Sequence, residues 1–216
     1  MAGVDVALLV KALGGFFAIM NPFVTLPMFL TLTSDYDIKR QHRTAIQVVV
    51  YSVVMAAVVM VGGAAILQFF GIEISHFRVA GGIVLMIIGL GMLQGGSSAH
   101  TGTREERAQQ AAVHTAESDV AFYPLTFPTL LGPGTITAII VFTNEADGFA
   151  GMLSVVTALV IVFVLLFVVL WLGQMIGRRM SQTLRVIMTR LMGMILASIS
   201  VGMIISGLQA LIPVLR

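Results

Sequence analysis

Two short stretches hold residues whose types and spacing could do chemistry: "NPFVT", Asn21 to Thr25, and "GPGT", Gly132 to Thr135. Each breaks an apolar run. Proline lacks a backbone N–H and clashes with the preceding turn, so it ends or kinks a helix. Asparagine prefers caps and turns to helix interiors. Gly132, Pro133 and Gly134 together do not stay in regular helix. A broken helix exposes backbone groups. The new N-terminus offers free N–H groups and partial positive charge, which suit a carboxylate. Unwound carbonyls suit an ammonium group or a cation. A zwitterionic amino acid carries both charges, so paired breaks can bind it without a charged side chain. The candidate substrate-binding residues are Asn21, Pro22, Phe23, Val24 and Thr25 in one stretch, and Gly132, Pro133, Gly134 and Thr135 in the other. Thr135 and Thr137 are expected to cap the helix that follows. A single proline kink more often only shapes packing, so the inference rests on the pair. "YPLTFP" is a weaker break, with Pro124 read as the start of a span, where proline is tolerated.

The elements that hold these stretches are membrane helices. The chain has 216 residues, 58% hydrophobic and 10% charged, with a mean hydropathy of +1.02. Soluble domains carry about 25% charged residues. Crossing the hydrocarbon core takes about 20 apolar residues. Six runs qualify: 6–33, 48–70, 74–93, 122–143, 149–176 and 186–215. Between the third and fourth lies a polar stretch containing "REERAQQAA", read as a partly helical linker. The divisions are 1–96, a three-helix repeat; 97–119, the linker; and 120–216, a second three-helix repeat. Cysteine is absent, so disulfides are excluded. No basic region precedes the first apolar run, so no cleaved signal peptide is expected.

Lys and Arg set the orientation. Nine of the 12 lie in three segments that fall on one side: Lys39, Arg40, Arg43, Arg104, Arg107, Arg178, Arg179, Arg185 and Arg190. Lys11, Arg78 and Arg216 lie on the other. The nine face the cytoplasm, which puts both termini outside and the protein in the cytoplasmic (inner) membrane. Three spans per half then give the halves opposite orientations. Aligning Pro22 with Pro133, and Arg78 in "RVAGGIVLM" with Arg190 in "RLMGMILAS", gives offsets that differ by one residue, which points to an internal repeat. The expected fold is all-α: six transmembrane helices in two inverted three-helix repeats, the first and fourth helices interrupted. That is a pattern of secondary transporters, whose broken helices meet at the midplane.

"NPFVTLPMFLTLT", "HFRVAGGIVLMIIGLGML", "FYPLTFPTLLGPGTITAII" and "RLMGMILASISVGMIISG" resemble successive signatures of the MarC family of integral membrane proteins, also catalogued as neutral amino acid transporters. The resemblance covers most of the chain except the linker and ends. It implies six spans in two inverted repeats, and carriage of small neutral amino acids such as glycine and alanine by some members. Many members have a glycine two residues after the first proline; Val24 stands there in this sequence and narrows the site.

The remaining polar residues point away from other chemistry. Asp35, Asp37, Glu73, Glu145 and Asp147 fall at span ends, as do His42 and His76, while His100 and His114 lie in the linker. No carboxylate stands at mid-membrane depth to relay protons. Arg78 and Arg190 are read as snorkelling to the interface; a gate charge paired with Glu73 or Asp147 is the alternative. Gly81, Gly82, Gly89, Gly91, Ser198, Gly202 and Ser206 read as helix-packing residues, and the 14 methionines as adaptable packing. No metal-ligand cluster, phosphate loop or nucleophile–base pair is present. The expectation is no enzyme, cofactor, metal or nucleic acid. The partners expected are a small zwitterionic solute and the lipid bilayer, with oligomerisation open. The function expected is secondary transport of small neutral amino acids or similar solutes by alternating access. The alternatives are an exporter of drugs or other small organic compounds, and a non-transporting scaffold or regulator.

Overall fold

The computed structural model describes residues 4–94, 120–179 and 181–212. The linker, its expected helix around "REERAQQAA", His100 and His114 lie outside the described residues. The described elements are all helical. They are α1 (Val6–Met20), α2 (Pro22–Leu32), α3 (Ile38–Phe69), α4 (Ile74–Leu93), α5 (Ala121–Leu130), α6 (Pro133–Glu145), α7 (Gly148–Trp171), α8 (Gly173–Arg179) and α9 (Gln182–Leu211).

Five stretches are long and apolar enough to cross a membrane: Val6–Leu32, Ile38–Phe69, Ile74–Leu93, Gly148–Trp171 and Gln182–Leu211. The pair α5 and α6, bent by 58°, makes a sixth if it is one span. The third span starts and stops where the sequence placed it. The second begins ten residues earlier than hydropathy indicated, because Asp37 accepts a hydrogen bond from the Arg40 N–H and caps a polar first turn. The fifth ends at Trp171, and α8 continues after a break at Leu172. The sixth starts at Gln182, where the Ser181 hydroxyl accepts from the Leu184 N–H.

The fourth span is more broken than expected. Pro124 does not begin it; Pro124 and Pro128 both lie inside α5, a wide-turned π-type segment. Tyr123 (φ −121°, ψ 124°) and Phe127 (φ −120°, ψ 131°) are extended there. Each precedes a proline, whose ring drives the residue before it out of the helical region.

Helices α4 and α9 form the most extensive interhelical contact, and α1 packs chiefly on α7. Both α5 and α6 pack on α3. The α4–α9 pair is antiparallel: Gly89 faces Gly193 and Ala197, Gly82 faces Ser200 and Ile204, and Gly207 faces Ser75 and Val79. A Cβ on Gly193 would lie 2.8 Å from the Gly89 carbonyl oxygen, so the backbones meet directly. This corrects the small-residue stripe read on α9. Ser198 and Gly202 are exposed. The small residues that meet α4 include Gly193, Ser200 and Gly207, spaced by seven, the repeat that keeps one face of a helix on its neighbour.

Candidate functional site

The first break is one residue wide. Pro22 supplies no N–H and disfavours helical geometry at Asn21, which adopts a left-handed conformation at φ 32°, ψ 85°. Asparagine tolerates this region better than most residues. Its N–H donates to the Phe17 carbonyl at 3.0 Å, ending α1. Its carbonyl accepts from Val24 (3.0 Å) and Thr25 (3.1 Å), starting α2. The side chain is fully buried, yet neither amide atom has a hydrogen-bond partner. Leaving a buried polar group unpaired costs about 1–3 kcal/mol, so the amide stands ready for a ligand or water.

The second break comprises Leu131 and Gly132, between α5 and α6. A side chain on Gly132 would run into the Pro128 carbonyl. The Leu131 N–H donates to the Thr126 carbonyl at 2.8 Å. Thr135 Oγ1 donates to the Leu130 carbonyl at 2.6 Å, and Thr25 Oγ1 donates to the Met20 carbonyl at 3.0 Å. Both hydroxyls reach back five residues across their break, to the last residue of the helix before it. Thr137 Oγ1 likewise donates backward, to the Pro133 carbonyl at 2.9 Å. The expected capping is therefore reversed. These threonines satisfy carbonyls upstream, and no side chain caps α6. The first-turn N–H groups of Gly134 and Thr135 have no intrahelical acceptor.

The two breaks approach one another. An ideal Cβ on Gly134 would lie 3.9 Å from Ile19 Cγ2, two residues before Asn21. It would also press on Leu85 Cδ2 at 2.8 Å and Ile88 Cδ1 at 3.1 Å, both from α4. Phe16 and Phe142 join α1 to α6 edge to face at 5.2 Å. Of the sequence-named residues, Asn21, Pro22, Thr25, Gly132, Gly134 and Thr135 are buried, Phe23 and Val24 are half-buried, and Pro133 is exposed.

Two polar clusters flank the breaks at opposite ends of the helices. At one, Lys11 Nζ lies 2.7 Å from Glu145 Oε2, and Arg78 Nη2 lies 3.3 Å from Glu145 Oε1. Arg78 is therefore paired rather than snorkelling, and its acid is neither Glu73, which sits 3.8 Å from His76, nor Asp147. Arg190, its counterpart by alignment, is exposed. At the other end, Gln41 Nε2 donates to Thr33 Oγ1 at 2.8 Å, and Gln174 Nε2 donates to Gln41 Oε1 at 2.9 Å. These residues border a cavity of about 280 Å³ with Leu30, Ser34 and Gly177. His42, next to Gln41, stacks on Trp171 with ring centroids 3.9 Å apart. Sequence reasoning weighed a gate charge at Arg78 but not its partners Glu145 and Lys11, and it passed over the glutamine cluster, because pairs such as Gln41–Gln174 are far apart in the chain and leave no local signal. The single cue was a polar residue at an apolar span's end.

A multi-pass, all-helical membrane protein with interrupted helices is the class this architecture defines. The sequence pattern of the MarC family of integral membrane proteins matches residues 6–212, and the chain belongs to that family. A UPF0056 membrane protein of Methanocaldococcus jannaschii is 32% identical over 95% of this chain and 98% of its own length. The Bacillus subtilis UPF0056 membrane protein YvbG is 30% identical, over 92% and 93%. The Escherichia coli UPF0056 membrane protein YhcE is 25% identical, over 92% and 91%. No solved structure matches the chain.

Proposed function

We propose that this protein is a secondary transporter of small neutral zwitterions such as glycine and alanine, working by alternating access across the cytoplasmic membrane. The observation that carries the reading is the buried, unpartnered Asn21 amide at one break, with the free first-turn N–H groups of Gly134 and Thr135 at the other. Those N–H groups hold the substrate carboxylate; the Asn21 side-chain oxygen holds the ammonium. The antiparallel packing of α4 on α9 supports two inverted repeats, because these helices are the third spans of the two halves. So does the way the first span of each half packs on the second span of the other. Basic residues put the Gln41 end in the cytoplasm and both termini outside. Ile19, Leu85 and Ile88 pack closely around Gly134, which favours a small substrate over a large one.

A second reading, export of apolar compounds, draws support from a groove of about 530 Å³ between α3 and α7, lined by Val53, Met60, Val160, Phe163 and Phe167 among others. The deciding experiment is direct binding of labelled glycine and alanine to purified protein, at several pH values, with and without sodium. Binding that Asn21→Ala weakens about tenfold, the worth of one hydrogen bond, supports the amino acid reading. No binding of either, with binding of a bulky apolar cation, replaces it with the exporter.

A further inference from the structure

Two cations share one carboxylate at the Lys11 end of the molecule. Arg78 and Glu145 are 18% and 19% exposed, so neither is freely solvated, whereas Lys11 is 52% exposed. The Arg78 Nε–H is buried and has no acceptor. The local balance is one positive charge in excess, with a guanidinium donor unused. Glu145 is the last residue of α6, Lys11 lies on α1 and Arg78 near the start of α4. A single carboxylate thus ties together the three helices that enclose the Ile19–Gly134–Leu85 contact beside the breaks. Lys11 also lies 5.9 Å from the centre of the Phe142 ring, which packs on Phe16 and beside Gly15, so the charge cluster sits over the apolar seam between α1 and α6.

We propose that Lys11 and Arg78 form a carboxylate-binding site at the outer mouth, with Glu145 as its resident occupant and the latch that closes the mouth. A small carboxylate that takes Glu145's place on Arg78 frees the end of α6 from α1 and α4. Substrate then opens its own path inward, and a plain amine or alcohol does not. At the opposite end the Thr33–Gln41–Gln174 hydrogen-bond chain has no ionic member. Naming this as the outer mouth rests on the transport reading and its orientation; the site itself rests on the cluster.

The chain has no cysteine, so a single Thr135→Cys reports access to the breaks. Protein carrying it is reconstituted in liposomes and treated from the Lys11 side with a membrane-impermeant thiosulfonate. Glu145→Ala in this background is expected to raise the labelling rate about tenfold. In the Thr135→Cys parent, propionate at tens of millimolar is expected to displace Glu145 and raise the rate toward that of the Glu145→Ala variant, while propanol does not. Adding Arg78→Gln removes the propionate effect. Glu145→Gln, which keeps shape and loses charge, also raises labelling, and it stands in for the alanine variant if that one does not elute as folded protein. The proposal is overturned if neither Glu145 variant changes the rate, or if propanol acts as well as propionate. This assay needs no transport, so the latch and the amino acid reading fail separately: no binding of glycine or alanine sinks the latter and leaves the labelling result standing.

Discussion

Replacing Asn21 tests the site through opposite effects on stability and binding. Its amide is buried without a partner, a cost of about 1–3 kcal/mol. Asn21→Ala removes that cost and adds up to about 1–2 kcal/mol, because alanine tolerates the left-handed region at φ 32° less well than asparagine. The two nearly cancel, so the alanine variant should melt within a few degrees of the parent in detergent. Asn21→Gly removes the same cost without conformational strain and loses about 1 kcal/mol to chain entropy. The net gain of about 1 kcal/mol raises Tm by about 2–4 °C for a chain of this size. Binding moves the other way. At a glycine or alanine concentration 100 times Kd, a ligand stabilises the parent by about 2.7 kcal/mol. A tenfold weaker site gives about 1.4 kcal/mol under the same conditions, so the ligand-induced shift in Tm is halved in both variants. The assay is thermal unfolding with and without ligand. If both variants lose several degrees while keeping the full ligand shift, Asn21 is a structural residue and the site lies elsewhere.

Other changes separate packing from function. Gly134→Val presses on the flexible ends of Leu85 and Ile88, so it should abolish glycine and alanine binding with the protein still eluting as a single species; retained binding would move the site away from this break. Gly193→Leu drives a side chain onto the Gly89 backbone and should cost at least about 1–3 kcal/mol, whereas Gly202→Ala, with nothing within 4 Å, should keep Tm or raise it slightly. Comparable Tm values for the two would refute the α4–α9 seam. For orientation, a single cysteine at Asp147 should react with an impermeant maleimide added to intact cells, and one at Arg43 should not until the membrane is opened. The reverse pattern inverts the topology.

Much of the architecture was legible in the sequence because a membrane helix is dictated by local chemistry. Every backbone group in hydrocarbon must be satisfied, so a run of about 20 apolar residues becomes a helix. The same local rule marked the two places where a helix must stop: Pro22 and Pro133 cannot donate, and their positions followed from covalent structure alone. Span ends were less legible where a polar turn is captured by a cap, as Asp37 extends α3 toward the cytoplasmic side of the proposed orientation. The sequence could not say that Asn21 is left with an unpartnered amide, that Thr25 and Thr135 turn back onto Met20 and Leu130, or that Glu145 bridges Lys11 and Arg78. It also put the packing stripe of α9 on Ser198, Gly202 and Ser206, although Gly193, Ser200 and Gly207 face α4. Local bonding fixes that a helix forms and where it breaks. The rotation of each helix, and the partner its polar atoms meet, depend on which neighbours come within a few ångströms, and packing across distant parts of the chain decides that.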